Sequence, residues 1–322
     1  MDNKCLLIIN PISGTTNKRG LDKRVARRLE SLGLEIETAW TTARGDATRL
    51  AGRAVAEGYH TVIAAGGDGT VNETARALCG SDVRLGIIPC GSGNGLARHL
   101  DIPIDIEGAL DIIAADCPVA CDYGTVNSQP FFCTFGVGFD AAVSHKFARQ
   151  RRRGPLSYLH STFREFVKYH ADEYTISANG QLLTERAFLV AVCNASQYGN
   201  NAYIAPHASM TDGLLDVTIV HQGNPLTTAL VGVDLLTGYI DRNILIHTFR
   251  TSAATISRTD KGPAHIDGEP LVLPETIEVA CHPRQLTIYT NPNERPFRPI
   301  LTPLSSMLRD FRLAAGRLFH HN

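Results

Sequence analysis

Apolar positions in the first hundred residues follow two alternating periods. Cys5–Ile9 is a continuous apolar run that stops at Asn10-Pro11. A short run bounded by a turn predicts a buried strand. Leu21, Val25, Leu29 and Leu32 then recur at helical spacing up to Gly33, which predicts a helix closed by a glycine. LEIETAW (34–40) alternates and reads as a strand. DATRLAGRAVAEG (46–58) opens on Asp46 and stops at Gly58, a helix with Asp46 as its cap. TVIAA (61–65) predicts a strand, TVNETARALCG (70–80) a helix and VRLGIIP (83–89) a strand, and NGLARHL (94–100) begins one more helix. This alternation predicts an α/β fold: an open parallel sheet with helices on both faces.

The texture changes after Ala115. PVACDYGTV (118–126), QPFFCTFGVGF (129–139), EYTISANGQLL (173–183), RAFLVAVCNA (186–195) and LLDVTIVH (214–221) are strand-like. TFRTSAATISR (248–258), ETIEVAC (275–281) and RQLTIYT (284–290) follow. Asn179-Gly180 is a strong hairpin signal. Ala141–His170 and Leu226–Ile240 read as helices. This half is expected to be a β-rich, sandwich-like sheet with a helix or two. In the tail, Leu304, Leu308, Phe311, Leu313 and Leu318 fall near helical spacing. They predict an amphipathic helix packed on its own protein, with a membrane-surface helix as the lesser alternative.

Composition narrows the picture further. A chain of 322 residues is long for one core and predicts two domains. Thirty-one Lys and Arg against 32 Asp and Glu give a net charge of −1. No global basic field is present, so nucleic acid is not an expected partner. The eight cysteines sit mostly among apolar neighbours and read as reduced, buried thiols. Cys117 and Cys121 lack the second pair that a four-ligand zinc site needs. The N-terminal apolar run is too short for a signal peptide. No apolar run approaches the ~20 residues of a membrane span. The expected location is the cytoplasm, with peripheral contact at a membrane; a homodimer is compatible with these features.

Three turns at predicted strand ends carry the candidate chemistry: NPISG (Asn10–Gly14), GGDGT (Gly66–Thr70) and PCGSGNG (Pro89–Gly95). In an open parallel sheet, ligands bind beyond the carboxyl ends of the strands. Glycine lets a ligand approach closely, and the following helix N-terminus favours an anion, phosphate above all. Any one turn could be plain loop chemistry, but three at one edge point to a site. No G-x-x-x-x-G-K-[ST] occurs, and GSGNGLA has Leu96 where a G-x-G-x-x-G fingerprint needs its third glycine. Asp68 beside a phosphate calls for a bridging cation, naturally magnesium.

NPISG, GGDGTVNE, PCGSGNGLA and the late HIDGEP (His265–Pro270), in this order, resemble the diacylglycerol kinase and sphingosine kinase superfamily of lipid kinases. The resemblance implies a nucleotide-binding α/β domain over 1–117, a β-rich lipid-substrate domain over 118–292, and a C-terminal segment, 293–322, returning to the first domain. It implies ATP and Mg2+ as cofactors and a membrane lipid as substrate. Asn10, Pro11, Ser13 and Gly14 would line the nucleotide, and Thr41 would touch it, with Thr42 as a fallback. Gly66, Gly67, Asp68, Gly69, Thr70, Val71 and Asn72 would wrap the triphosphate. Gly91, Ser92, Gly93 and Asn94 would close the other side. Glu269 would be the general base, and Asp267 would support magnesium together with Asp68. In an extended strand, Asp267 and Glu269 would face the same way; a plain Asp-Gly hairpin is the alternative. A second, structural magnesium is implied at Asp212 with the carbonyls of Ser209 and Leu214, against a plain turn.

The acceptor is narrowed only in part. Lys146, Arg149, Arg151, Arg152 and Arg153 form a basic cluster suited to anionic headgroups, to solvent or to ATP phosphates. Phe147, Leu156, Tyr158, Leu159 and Phe163 suit either a lipid channel or the core. GSGNGLA resembles the sphingosine kinase loop, whereas GVGFDAAV (136–143) resembles the bacterial diacylglycerol enzymes. Ala142 stands where sphingosine kinases place a second acid. Diacylglycerol is therefore preferred, a sphingoid base is the alternative, and a kinase of a small metabolite such as NAD, which shares the GGDGT turn, is the further one.

Overall fold

Cys5, Leu6, Leu7, Ile8 and Ile9 are fully buried and form the body of β1 (Lys4–Ile9). In this computed structural model, residues 3–14, 18, 20–31, 33–148, 169–292 and 296–319 are described. They fall into two units. The first comprises Met1–Asp122, Pro283–Pro296 and Ser306–Asn322; the second comprises Tyr123–His282 and Phe297–Ser305.

The first unit is the expected parallel sheet. After β1 come α1 (Leu21–Glu30), β2 (Glu35–Trp40), α2 (Asp46–Ala56), β3 (Thr61–Gly66), α3 (Asp68–Leu78), β4 (Arg84–Pro89) and α4 (Gly95–His99). The strands lie in the order β4-β3-β1-β2, all parallel. This brings the carboxyl ends of β4, β3 and β1 side by side. One helix was not foreseen, α5 (Ile106–Ala114). Its buried Ile106, Ala109, Leu110, Ile112 and Ile113 are nearly consecutive, which blurs the helical period. Asp105 caps it, accepting the Gly108 N–H at 2.8 Å.

The start of α2 differs from expectation. Its cap is Gly45, at φ 86°. Asp46 instead accepts the Thr42 N–H and hydroxyl and the Ala43 N–H, which hold its carboxyl well below the usual range. The orphan helix donors go to Glu73 of α3, which accepts from Gly45 N (2.9 Å) and Ala47 N (3.2 Å).

The second unit is antiparallel and β-rich. The chain enters it within β5 (Pro118–Val126) and continues through β6 (Gln129–Phe131), β7 (Thr134–Gly138) and α6 (Phe139–Ala148). Then come β8 (Asp172–Ala178), β9 (Gln181–Cys193), β10 (Leu215–His221), α7 (Pro225–Thr237), a 3-10 turn (Ile240–Arg242), β11 (Ile246–Thr251) and β12 (Ala253–Arg258). β13 (Gly262–Ile266), β14 (Glu269–Leu273) and β15 (Thr276–Tyr289) complete the strands. The strand order runs β14-β13-β7-β9-β8-β12-β15, and β10 joins β9 to β11. β9 is buried on both faces: Val190 and Val192 enter one core with Phe135, Ile219 and Ile256, while Ala191 and Cys193 enter another with Ile204 and Val231. Burial pushes the Cys193 thiol up, and that of Cys5 up to about 12.

Three strand boundaries departed from the sequence pattern. QPFFCTFGVGF is broken into β6 and β7 because the N–H groups of Phe132, Cys133 and Thr134 turn to a side chain, that of Asp267. TFRTSAATISR is two strands split at Ser252, where Thr251 bonds across to Ala253. ETIEVAC and RQLTIYT are one long strand, β15, which passes Arg284 at φ 56°; the Arg284 N–H is taken by Asp122 at 2.7 Å. Ile288 of β15 pairs in parallel with Leu85 of β4.

The tail forms α8 (Leu301–Phe319), but with its polarity reversed from expectation. Pro303 and Ser306 are buried, whereas Leu304, Leu308 and Phe311 are exposed. Asp310 on its inner side bonds Arg98 at 2.8 Å. The predicted helix over Ala141–His170 is borne out through Ala148. Residues 149–168, with Arg149, Arg151, Arg152, Arg153, Leu156, Tyr158, Leu159 and Phe163, lie outside the described residues, as do the side chains of Lys146 and Phe147, and Tyr169 and His170 at the predicted end are not helical.

Candidate active site

The three glycine turns of the first unit meet one another. The Cys90 N–H donates to the Gly66 carbonyl at 2.7 Å and the Asn10 N–H to that of Ala65 at 3.0 Å. Asn10 Nδ2 donates to the Thr70 hydroxyl at 2.9 Å. Gly14 sits at φ +61°, and a Cβ there would overlap the Cys90 carbonyl oxygen. A Cβ on Gly91 would come within 2.7 Å of the Gly67 Cα. These glycines are required by loops lying backbone to backbone.

Asp68 locks the arrangement. Its carboxylate accepts the N–H groups of Asn94 (2.8 Å) and Gly95 (2.7 Å), so the first residue of α3 caps α4. Asn94, at φ 52°, closes its own loop by bonding Gly91 N–H and C=O, each at 2.9 Å. Ser13 donates to the Asn10 carbonyl, Ser92 and Pro11 are exposed, and Gly93 lies against Asp68. Thr41 follows β2 and is buried, its N–H on Ile9. Val71 and Asn72 are buried within α3.

Two basic residues that the motifs did not mark belong to this edge. Buried Lys18 donates to the Ser13 carbonyl, and buried Arg98 donates to the Gly93 carbonyl at 2.9 Å. Neither sits inside a glycine turn, so no local pattern singled them out.

In the second unit, HIDGEP is a hairpin. Asp267 (φ 49°) and Gly268 (φ 80°) form a left-handed turn between β13 and β14, as Asp-Gly favours. This corrects the extended-strand geometry that set Asp267 and Glu269 on one face. Asp267 is turned inward, its carboxylate accepting the N–H groups of Phe132 (2.9 Å), Cys133 (2.8 Å) and Thr134 (2.9 Å). Burial pushes its carboxyl up, against the downward pull of these bonds. Glu269 opens β14, half-buried.

Beside the hairpin stands a cluster not foreseen from sequence. His265 Nε2 and the Tyr198 hydroxyl both meet Asp140 Oδ2 at 3.1 Å, and His265 Nδ1 faces the Gly268 N–H at 3.4 Å. Nδ1 therefore accepts and Nε2–H donates to Asp140. A Cβ at Gly136 would overlap both Asp140 and His265, which explains that glycine. Tyr198→Phe is expected to cost about 1.5 kcal/mol, the low end for a hydrogen bond to a charged group, read from urea unfolding.

Two family models cover most of the chain: the diacylglycerol kinase catalytic domain over residues 4–126 and the YegS C-terminal NAD kinase beta sandwich-like domain over 133–290. A diacylglycerol kinase of Bacillus subtilis is 30% identical over 269 residues, covering 82% of this chain and 88% of the relative. The chain belongs to the diacylglycerol kinase and YegS lipid kinase superfamily. As a lipid kinase, it shares its fold with a diacylglycerol kinase from Bacillus anthracis (TM-score 0.69, 21% identity, 90% of this chain and 97% of that one). An NAD kinase from Archaeoglobus fulgidus, solved with ATP, shares the fold alone (TM-score 0.53, 12% identity, 94% and 99%).

Within the GGDGT turn of this lipid kinase, Gly69 is not explained by packing. A Cβ at Gly69 would meet no atom within 4 Å, and the residue lies in the first turn of α3. Gly69→Ala is expected to leave stability unchanged or to raise it by about 0.5 kcal/mol. The KM for ATP should rise about tenfold if the missing side chain makes room for a phosphate, as initial rates and a thermal melt would show.

Proposed function

We propose that the enzyme transfers the γ-phosphate of ATP to the hydroxyl of diacylglycerol in a membrane, giving phosphatidic acid. The observation that carries this reading is the mutual locking of three glycine turns at the carboxyl ends of β1, β3 and β4, with Asp68 bonded across two of them. Backbone N–H groups at such an edge suit a polyphosphate, and Lys18 adds positive charge. In phosphoryl transfer, positioning and charge neutralisation supply most of the rate. The acceptor oxygen bonds to the γ-phosphorus as the bond to the β,γ-bridging oxygen breaks, ADP departs, and Glu269 takes the hydroxyl proton.

Magnesium, when bound, offsets charge on the transferring phosphoryl group. Asp68 and Asp267 each hold both carboxylate oxygens on backbone N–H groups, so direct contact of either with the cation would compete with those bonds. At the second candidate site, Asp212 accepts the Leu214 N–H at 3.1 Å and lies 3.6 Å from Arg250. Together with the carbonyls of Ser209 and Leu214 it offers oxygen alone, and Asp216 Oδ2 nearby is buried without a hydrogen-bond partner. That donor set fits a hydrated hard cation. Among the described residues, no group of three or more His, Cys, Asp or Glu is placed to hold a metal.

Ala142 stands where sphingosine kinases place a second acid, and Asp140 is already engaged by His265 and Tyr198, which favours diacylglycerol over a sphingoid amine. The test is incorporation of label from radioactive ATP into diacylglycerol vesicles, sphingosine vesicles and NAD in parallel, with and without chelator. Label in diacylglycerol that chelator abolishes is expected. Label in NAD alone overturns the lipid reading, and label in sphingosine alone overturns the choice of acceptor.

A further inference from the structure

Helix α8 turns its apolar face outward. Leu301, Leu304, Leu308 and Phe311 recur at helical spacing and are 60%, 51%, 50% and 73% exposed, while Pro303 and Ser306 on the other side are buried. A surface helix of a soluble protein ordinarily does the reverse. In the second unit, α7 does the same with Leu230 and Val233, 52% and 53% exposed. The two helices are tied there: the Ile300 N–H donates to the Thr237 carbonyl at 2.8 Å, and a Cβ at Gly238 would overlap the Phe297 ring.

The charge on this segment has one sign. Arg298 and Arg312 are exposed and Arg309 is half-buried. The sole acid between Arg298 and Phe319 is Asp310, which is held by Arg98. An apolar stripe flanked by arginines is the pattern of a helix that lies in a bilayer interface. A two-fold pairing of this face with a second copy would set arginines against arginines; an anionic surface neutralises them, at ~1 kcal/mol per basic residue near it.

We propose that the exposed face of α8 docks on a bilayer containing anionic phospholipid. The proposal rests on the lipid-kinase reading for its purpose, but its test needs no turnover. The full chain would be sedimented with vesicles of phosphatidylcholine alone and of phosphatidylcholine mixed with phosphatidylglycerol. Wild type should partition to the mixed vesicles. Leu308→Ser with Phe311→Ser should weaken that partition about tenfold or more, since each side chain loses most of its transfer free energy. Arg312→Glu should weaken binding to the mixed vesicles only. Circular dichroism and activity on detergent-dispersed diacylglycerol should be unchanged in all three proteins, which separates lost docking from lost folding. Equal sedimentation of wild type and the double variant would overturn the proposal. So would a concentration-dependent dimer that the double variant abolishes, because the face would then be an interface between copies. Vesicle binding without any kinase activity would sink the functional reading and leave the docking face standing.

Discussion

Asp267→Ala is expected to lower the unfolding free energy by about 3 kcal/mol or more. The variant should show an early urea midpoint or accumulate in inclusion bodies. Three buried N–H donors lose their acceptor at once, and each stranded donor costs about 1–3 kcal/mol. The bonds also fix the turn of chain between β6 and β7, so the loss should spread along both strands. Asp267→Asn keeps an acceptor oxygen in place and should recover part of the deficit. A loss confined to activity, with the alanine variant as stable as wild type, would show that Asp267 acts on substrate and not on the fold.

Glu269→Gln is expected to do the opposite. Turnover should fall about 10²–10⁴-fold, the range for a general base, with stability within about 0.5 kcal/mol of wild type. Glu269 is half-buried at the first position of β14, and the amide keeps its shape. The comparison is made by initial rates at saturating ATP and lipid beside a thermal melt. An unchanged turnover would remove Glu269 from its assigned role. The two substitutions lie two residues apart in one DGE triplet, yet they should separate fold from chemistry.

Most of the first unit was legible in sequence because β1, β3 and β4 are short and buried on both faces and α1 and α2 keep a clean period, which α5 does not. The glycine turns were legible as a site, but the reason for most of the glycines was not. The sequence suggests room for a ligand, whereas Gly14 and Gly91 are required by neighbouring backbone, Gly67 lies close against Gly91, and Gly69 stands clear. Asp68 read as a partner for metal, yet its carboxylate serves backbone N–H groups 26 and 27 positions away, which no local pattern encodes. The same holds for Glu73, which closes the neighbouring helix, and for Asp140, which meets a histidine 125 residues later. Strand boundaries at 132–134 and 252 were missed because hydrogen-bonding side chains end those strands, and hydropathy does not report that. α8 was legible as amphipathic, but the side it turns outward depends on Asp310 and Arg98, which periodicity does not weigh.

The mutual locking of the three glycine turns bears on how tightly the nucleotide proposed to sit there would be held. A flexible glycine loop surrenders conformational entropy when its guest arrives, and that loss subtracts from affinity. Here the segments are already immobilised by Asn10, Asp68 and Asn94. On the proposed reading, more of the contact energy would then be retained as net affinity for ATP, and little reorganisation would stand between encounter and a reactive pose.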